Sequence, residues 1–324
     1  MNKSLNQSLN QSVNKSMIKP ELIAATHCAV GESTVWHAAE NALYWVDIPA
    51  GKLHRWAADS GALSEWQADE MIGCIAIHAG GGFIAGMASG VFHLHPQGDG
   101  RVQALKLASV PHAAPNMRFN DGRCDRQGRL LAGTMTIDQQ VGVGNPSVYQ
   151  FSQGALKTLL VGDAAPFVSA QRPAPPLVTP NGMAFSPDGR QFYLSDSNAV
   201  NQVVWRFDYD GDTGTPHSPA LFADFRHHLG RPDGAAMDTD GCYWICATDV
   251  GMVHRFTPKG KLDYSLHLPV KKPTLCAFGG ADLSTLYVAS IRPAGDVSDQ
   301  PLAGGVFAFD GLGVQGMAEP AFLG

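Results

Sequence analysis

NGMAFSPDGRQFYLSDSNAVNQVVWRFDYD, residues 181–210, is the stretch that decides the fold. A short apolar strand (MAF) is followed by a Ser-Pro-Asp-Gly turn, then an aromatic-rich strand (FYLSDS), a polar break and a third strand (VVWRF). Asp-Gly supplies the positive backbone angle that a tight hairpin needs, and the alternating aromatic and β-branched positions have the period of strands. The same order recurs along the chain. It is found at 33–56 and 74–95, then at 122–135 with a continuation at 147–151, and again at 234–260 and 274–310. Glu32, Gly73, Asn120, Asn181, Asp233 and Thr274 mark six copies, spaced 41 to 61 residues apart. A propeller blade of four strands has about that period, so the expected fold is all-β, a six-bladed β-propeller closed into a ring. Helical periodicity is absent throughout.

Composition agrees. Of 324 residues 36 are glycine, an excess that suits many tight turns, and 44% are hydrophobic, enough for a large core. Charged residues make up only 16% and the formal net charge is −6, which argues against nucleic acid as a partner, since phosphate binding needs clustered cations. No run of about 18 apolar residues is present, so no membrane span is expected. The first 19 residues repeat Asn, Gln, Ser and Lys without the apolar stretch of a signal peptide, and read as a disordered polar tail before a single propeller domain over 20–324. The six cysteines form no CxxC pair and read as reduced, buried thiols of a cytoplasmic protein. The Pro-rich segment 160–179 reads as a long surface loop, near the mouth of a site or simply solvated.

Four copies begin with a polar residue next to Gly or Pro: GES (31–33), RFNDG (118–122), TPNG (179–182) and RPDG (231–234). A lone Asn-Gly or Asp-Gly means only a turn. Here the NG of 181–182 and the DG of 233–234 each precede an apolar strand (MAF, AAM) with a second turn (SPDG, DTDG) about six residues later, which puts the first dipeptide at a strand entrance. Equivalent positions of successive blades face one another across the central channel. Glu32, Asn120, Asn181 and Asp233 are therefore expected to converge. Two carboxylates and two amide oxygens make a hard-oxygen set suited to one divalent cation: Ca²⁺, Mg²⁺ or Mn²⁺, with Zn²⁺ and Fe²⁺ also accepted by such donors. Arg118 adds a fixed cation with a donor fork. The Asp-rich turn 208–214 lacks the glycine and glutamate of a calcium loop and reads as an outer-strand turn; GGG at 80–82 reads as a hairpin turn.

These residues carry a resemblance. GESTVW (31–36), YWVD (44–47), RFNDGRCDRQGRLLAGTM (118–135), PNGMAFSPDGRQFYLSDS (180–197), RPDGAAMDTDGCYW (231–244) and KPTLCAFGGADLSTLYVAS (272–290) stand in the order found in the gluconolactonase, senescence-marker-protein and luciferin-regenerating-enzyme family of six-bladed propellers, which the chain resembles over nearly everything after the polar tail. The resemblance implies that Glu32, Asn181 and Asp233 hold a divalent metal, that Arg118 and Asn120 contact substrate, and that Asp233 is the general base. It implies hydrolysis of a small-molecule sugar lactone, an aldonolactone, to the aldonic acid. Two departures stand out: Thr34 replaces a proline common in the family, and Asp138 stands where some members carry a substrate-contacting Glu, shortening its reach by one methylene. Two other readings keep the fold: an organophosphate or hydrophobic-lactone hydrolase of the diisopropylfluorophosphatase or paraoxonase type, and a metal-binding propeller without turnover.

Overall fold

A computed structural model describes residues 18–138, 144–161 and 176–324. They form six four-stranded antiparallel sheets arranged as a six-bladed β-propeller. After β1 (Glu21–Ala24), the first blade is β2 (Gly31–His37), β3 (Ala42–Asp47), β4 (Lys52–Ala57) and β5 (Leu63–Gln67). The second is β6 (Ile72–Ile77), β7 (Phe83–Met87), β8 (Gly90–Pro96) and β9 (Val102–Ser109). The third is β10 (Met117–Cys124), β11 (Leu130–Thr136), β12 (Ser147–Ser152) and β13 (Ala155–Val161). The fourth is β14 (Pro180–Phe185), β15 (Gln191–Asp196), β16 (Val203–Asp210) and β17 (Thr215–Asp224). The fifth is β18 (Arg231–Met237), β19 (Tyr243–Thr248), β20 (Met252–Phe256) and β21 (Leu262–His267). The sixth is β22 (Pro273–Gly279), β23 (Thr285–Ser290) and β24 (Val306–Phe309), completed on its outer edge by β1. The last blade thus takes its fourth strand from the other end of the chain, which fastens the ring and leaves no long open edge there.

The expected alternation of polarity holds on outer strands such as β5 and along the second half of β16. The inner strands β3, β14 and β19 are buried at every residue. Each blade is covered on both faces by its neighbours, so its inner strands have no solvent face on which to alternate. The core is accordingly a set of apolar clusters between adjacent blades. Between the sixth and first blades, Trp36 stacks on Tyr287 with centroids 5.5 Å apart. Between the first and second, Tyr44 packs on Phe83 at 4.7 Å.

Two boundaries of the sequence reading fall in part outside the described residues. Of the polar tail only Ile18 and Lys19 are described, and Ile18 packs on the cluster holding Trp244 and Phe278. Of the Pro-rich segment, 162–175 lie outside; Val178 and Thr179 at its end donate their backbone N–H groups to the Asp196 carboxylate at 2.8 and 3.0 Å. The 208–214 segment is the end of β16 with the β16–β17 turn, and GGG lies in the β6–β7 turn.

A C-terminal segment crosses one end of the ring. Gly316 N–H bonds Leu283 O, Met317 N–H bonds Met237 O, Phe322 N–H bonds Ile77 O and Leu323 N–H bonds Gly128 O, all at 2.7–3.0 Å. Glu319 pairs there with Arg123. These partners lie at the far ends of the innermost strands, so the segment closes the channel opposite to where those strands begin.

Candidate metal centre and active site

Each of the six innermost strands breaks register near its start. In β2, β10, β14, β18 and β22 two residues oppose one on the neighbouring strand: Ser33-Thr34, Asn120-Asp121, Gly182-Met183, Asp233-Gly234 and Thr274-Leu275. In β6 the extra residue is Gly73. A bulge bends the strand and re-aims side chains, and six at one level ring the channel with redirected residues. The four expected positions are not strictly equivalent. Asn120 and Asp233 lie in their bulges, whereas Glu32 and Asn181 are the last paired residues before theirs.

The bulges bring these side chains together. Asn181 Nδ2 donates to Asp233 Oδ1, and Asn181 Oδ1 accepts from Gly182 N–H at 3.0 Å. Glu32 Oε2 accepts from Ser33 N–H at 3.0 Å. Arg118 Nη1 donates to Asn120 Oδ1 at 2.9 Å and to Phe119 O at 2.8 Å, while Asn120 Nδ2 donates to Pro180 O at 3.1 Å. Glu32, Asn120, Asn181 and Asp233 are all less than 9% exposed. Arg118 is half-buried, and Asp138, two residues past the end of β11, is exposed. The Asn116 side chain bonds both the Asp138 backbone carbonyl and its N–H, so that turn is tied to the β9–β10 loop.

Asp121, which the sequence offers only as part of a turn, adds a third buried carboxylate. Its Oδ2 accepts from Met183 N–H at 2.8 Å, and its buried Oδ1 has no hydrogen-bond partner among the described residues. Burial, then the charges of Asp233 and Asp121, hold the Glu32 carboxyl well above the usual range. Burial likewise pushes Asp233 up to about 8; Asp121 adds to the rise, while Arg231 and the Asn181 hydrogen bond pull against it. The Arg118 guanidinium is brought down to about 10 by burial, against the attraction of Glu32. Three buried carboxylates thus lie near Arg118, and burial makes both Glu32 and Asp233 resist ionisation.

That observation tests whether a cation suits these residues. Among the described residues no three His, Cys, Asp or Glu side chains form a ready metal group. The set here is mixed, two carboxylates and an amide, all hard oxygen donors. Buried carboxylates that oppose one another lack positive charge, and a divalent ion would supply it. The residues fit.

A ring of six bulged blades with a buried carboxylate and amide cluster near the starts of its innermost strands defines the class of six-bladed propeller, and the comparisons give the family. Residues 30–292 match the SMP-30/Gluconolactonase/LRE-like region, and the chain belongs to that family. It is 40% identical over 299 residues to the 6-deoxy-6-sulfogluconolactonase of Pseudomonas putida, covering 91% of this chain and 95% of that one. Human regucalcin is 34% identical over 311 residues, covering 95% and 99%. The crystal structure of regucalcin from Agrobacterium tumefaciens, a calcium-binding protein, superposes with a TM-score of 0.81 at 26% identity, covering 94% of this chain and 97% of that one. The protein is a lactone-hydrolysing enzyme of this family.

Proposed function

We propose that the chain opens an aldonolactone to its aldonic acid at the mouth of the channel, in a metal-dependent hydrolysis. The observation that carries this reading is the meeting of Glu32, Asn181 and Asp233 from three blades in one buried, anion-rich cluster. Glu32, Asn181 and Asp233 would hold the cation. When bound, a divalent ion supplies positive charge that polarises a carbonyl and stabilises a developing oxyanion. Calcium is the first ion to test, with Mg²⁺, Mn²⁺, Zn²⁺ and Fe²⁺ as further candidates.

The chain's own residues supply the rest. Arg118, its Nη1 fixed by Asn120 and Phe119, presents N–H groups to lactone or hydroxyl oxygen. Asn120 holds that guanidinium in place and lines the same wall. Asp233 takes a proton from the attacking water as its oxygen bonds the carbonyl carbon. It returns the proton to the ring oxygen as the carbon–oxygen bond of the lactone breaks, so atoms and charge balance. General-base help of this kind is worth about 10²–10⁴ in rate. Asp138 is assigned to substrate hydroxyls at the rim. The cysteines, all six unpaired and buried, support a reducing, cytoplasmic setting, and the reaction suits a carbohydrate-degrading sequence.

The test is hydrolysis of pentono- and hexonolactones, followed by proton release above the spontaneous rate. Activity lost in chelator, restored by one added divalent ion and abolished by Asp233→Asn is the expected result. Full activity in the stripped protein or in Asp233→Asn overturns the reading.

A further inference from the structure

Arg231 and Lys272 stand above the candidate site on adjacent blades. Arg231 opens β18 two residues before Asp233, and Lys272 lies two residues before Thr274, the bulge residue of β22. Both reach one carboxylate: Arg231 Nε lies 2.5 Å from Asp249 Oδ2 and Lys272 Nζ 2.5 Å from Asp249 Oδ1. Arg231 Nη1 also donates to Ser197 O at 2.9 Å, which ties it to the fourth blade. Its Nη2 has no hydrogen-bond partner among the described residues. All three side chains are about one-third exposed, 31% for Arg231, 32% for Lys272 and 37% for Asp249.

Two cations on one carboxylate leave a surplus positive charge, held in fixed geometry and open to water at the mouth. The Asp233 layer below is rich in carboxylates and would repel an anion, so the surplus sits at a different height. Two residues of strand separate the layers, roughly 7 Å, a distance comparable with the reach of a six-carbon lactone from its carbonyl to its far end. We propose that Arg231 and Lys272 form a recognition site for a tetrahedral oxyanion, phosphate or sulfonate, on the end of the substrate remote from the lactone carbonyl. Arg231 offers the planar donor fork and Lys272 the point charge; Asp249 holds both heads in place so that little ordering is left for binding. The proposal rests on the lactonase reading for which end of the substrate points down, but not for the anion site itself.

The experiment uses the full chain with three matched ligands: gluconolactone, its 6-phosphate and its 6-sulfonate analogue. Turnover is measured on the lactones and binding, by calorimetry, on the corresponding open acids. The charged acids should bind about tenfold or more tightly than gluconate, with an advantage that shrinks as salt is added. Arg231→Met and Lys272→Met should each cut the charged-to-neutral ratio by about 10-fold or more, and Arg231→Lys should restore part of it. The two charged arms tell phosphate from sulfonate. Equal binding of charged and neutral acids by the parent, or an equal fall for both in the variants, overturns the proposal and leaves the trio as a fastening between blades. Preference for the charged acids without hydrolysis of any lactone keeps the anion site and overturns the lactonase reading instead.

Discussion

The Asn181 amide donates to the Asp233 carboxylate across two adjacent blades, from residues 52 positions apart in the chain. Asp233 lies in the bulge of its strand and Asn181 is the last paired residue before its own. The bond fixes which Asp233 oxygen remains for other partners, and Gly182 N–H fixes the amide in turn. The site is therefore oriented by backbone irregularity before any ligand arrives.

Asn181→Ala and Asn181→Asp should separate positioning from charge. Alanine removes a hydrogen bond to an ionisable group, worth about 1.5–3 kcal/mol, and should lower kcat/KM roughly 10–100-fold. Aspartate keeps the shape but adds a fourth carboxylate to Glu32, Asp121 and Asp233. In chelator it should melt below both the parent and the alanine variant, because like charges in a buried site repel. Identical melting of all three proteins in chelator would remove the electrostatic account.

Glu32→Gln should act with opposite signs with and without metal. Without metal it relieves the repulsion on Asp233, so the melting temperature should rise. With metal it loses a carboxylate ligand, so the gain on adding calcium should shrink. In the parent that gain is about 2.7 kcal/mol at an ion concentration 100 times Kd, several degrees in Tm. Thermal melts of both proteins across a calcium titration check it, and parallel curves would count against Glu32 as a ligand.

The repeat and its hub were legible because turn chemistry is local: SPDG and DTDG mark hairpins of the fourth and fifth blades, and four of the six copies begin with a polar residue next to Gly or Pro. What stayed hidden depends on contacts distant in sequence. β1 has four residues, and its pairing of Glu21 with Ala308 spans almost the whole chain. The C-terminal segment has no strand periodicity, since its bonds go to carbonyls of several blades. Asp121 is indistinguishable from a turn aspartate until the β10 bulge register places its carboxylate against Met183 N–H. Arg231 is overshadowed in RPDG by the aspartate that follows it.

Gly182→Ala should damage the site more than a left-handed glycine elsewhere. Gly182 has φ +57°, and a Cβ there would lie 2.7 Å from Asp233 O and 2.6 Å from Tyr243 Oη. Gly154 has φ +72° with nothing within 4 Å of such a Cβ. Both substitutions carry the left-handed penalty of about 1–2 kcal/mol, but only Gly182→Ala displaces backbone beside Asp233. Gly154→Ala should therefore lower Tm modestly with kcat unchanged, and Gly182→Ala should lower both. Equal losses of Tm with no loss of kcat in either variant would show that the Gly182 bulge does not set the site.

The Arg123–Glu319 pair closes the other end of the channel, and its energetics should be asymmetric. Both side chains are largely buried, 9% and 19% exposed, and Arg123 Nη2 also donates to Ala235 O at 2.6 Å. Glu319→Gln leaves the guanidinium buried without its counter-charge, and removing one partner of such a pair costs about 3–5 kcal/mol. Arg123 then faces the Asp121 carboxylate, whose ionisation it favours, so part of the loss should be recovered there and the measured cost should fall toward the lower end. Replacing both residues by methionine removes the two desolvated charges together, and the double variant should be markedly more stable than the sum of the single losses. Denaturant melts of the two single variants and the double variant close the cycle. A coupling energy near zero would mean that the C-terminal segment is held by its other contacts, the backbone bonds to Leu283, Met237, Ile77 and Gly128 and the packing of Phe322 among them.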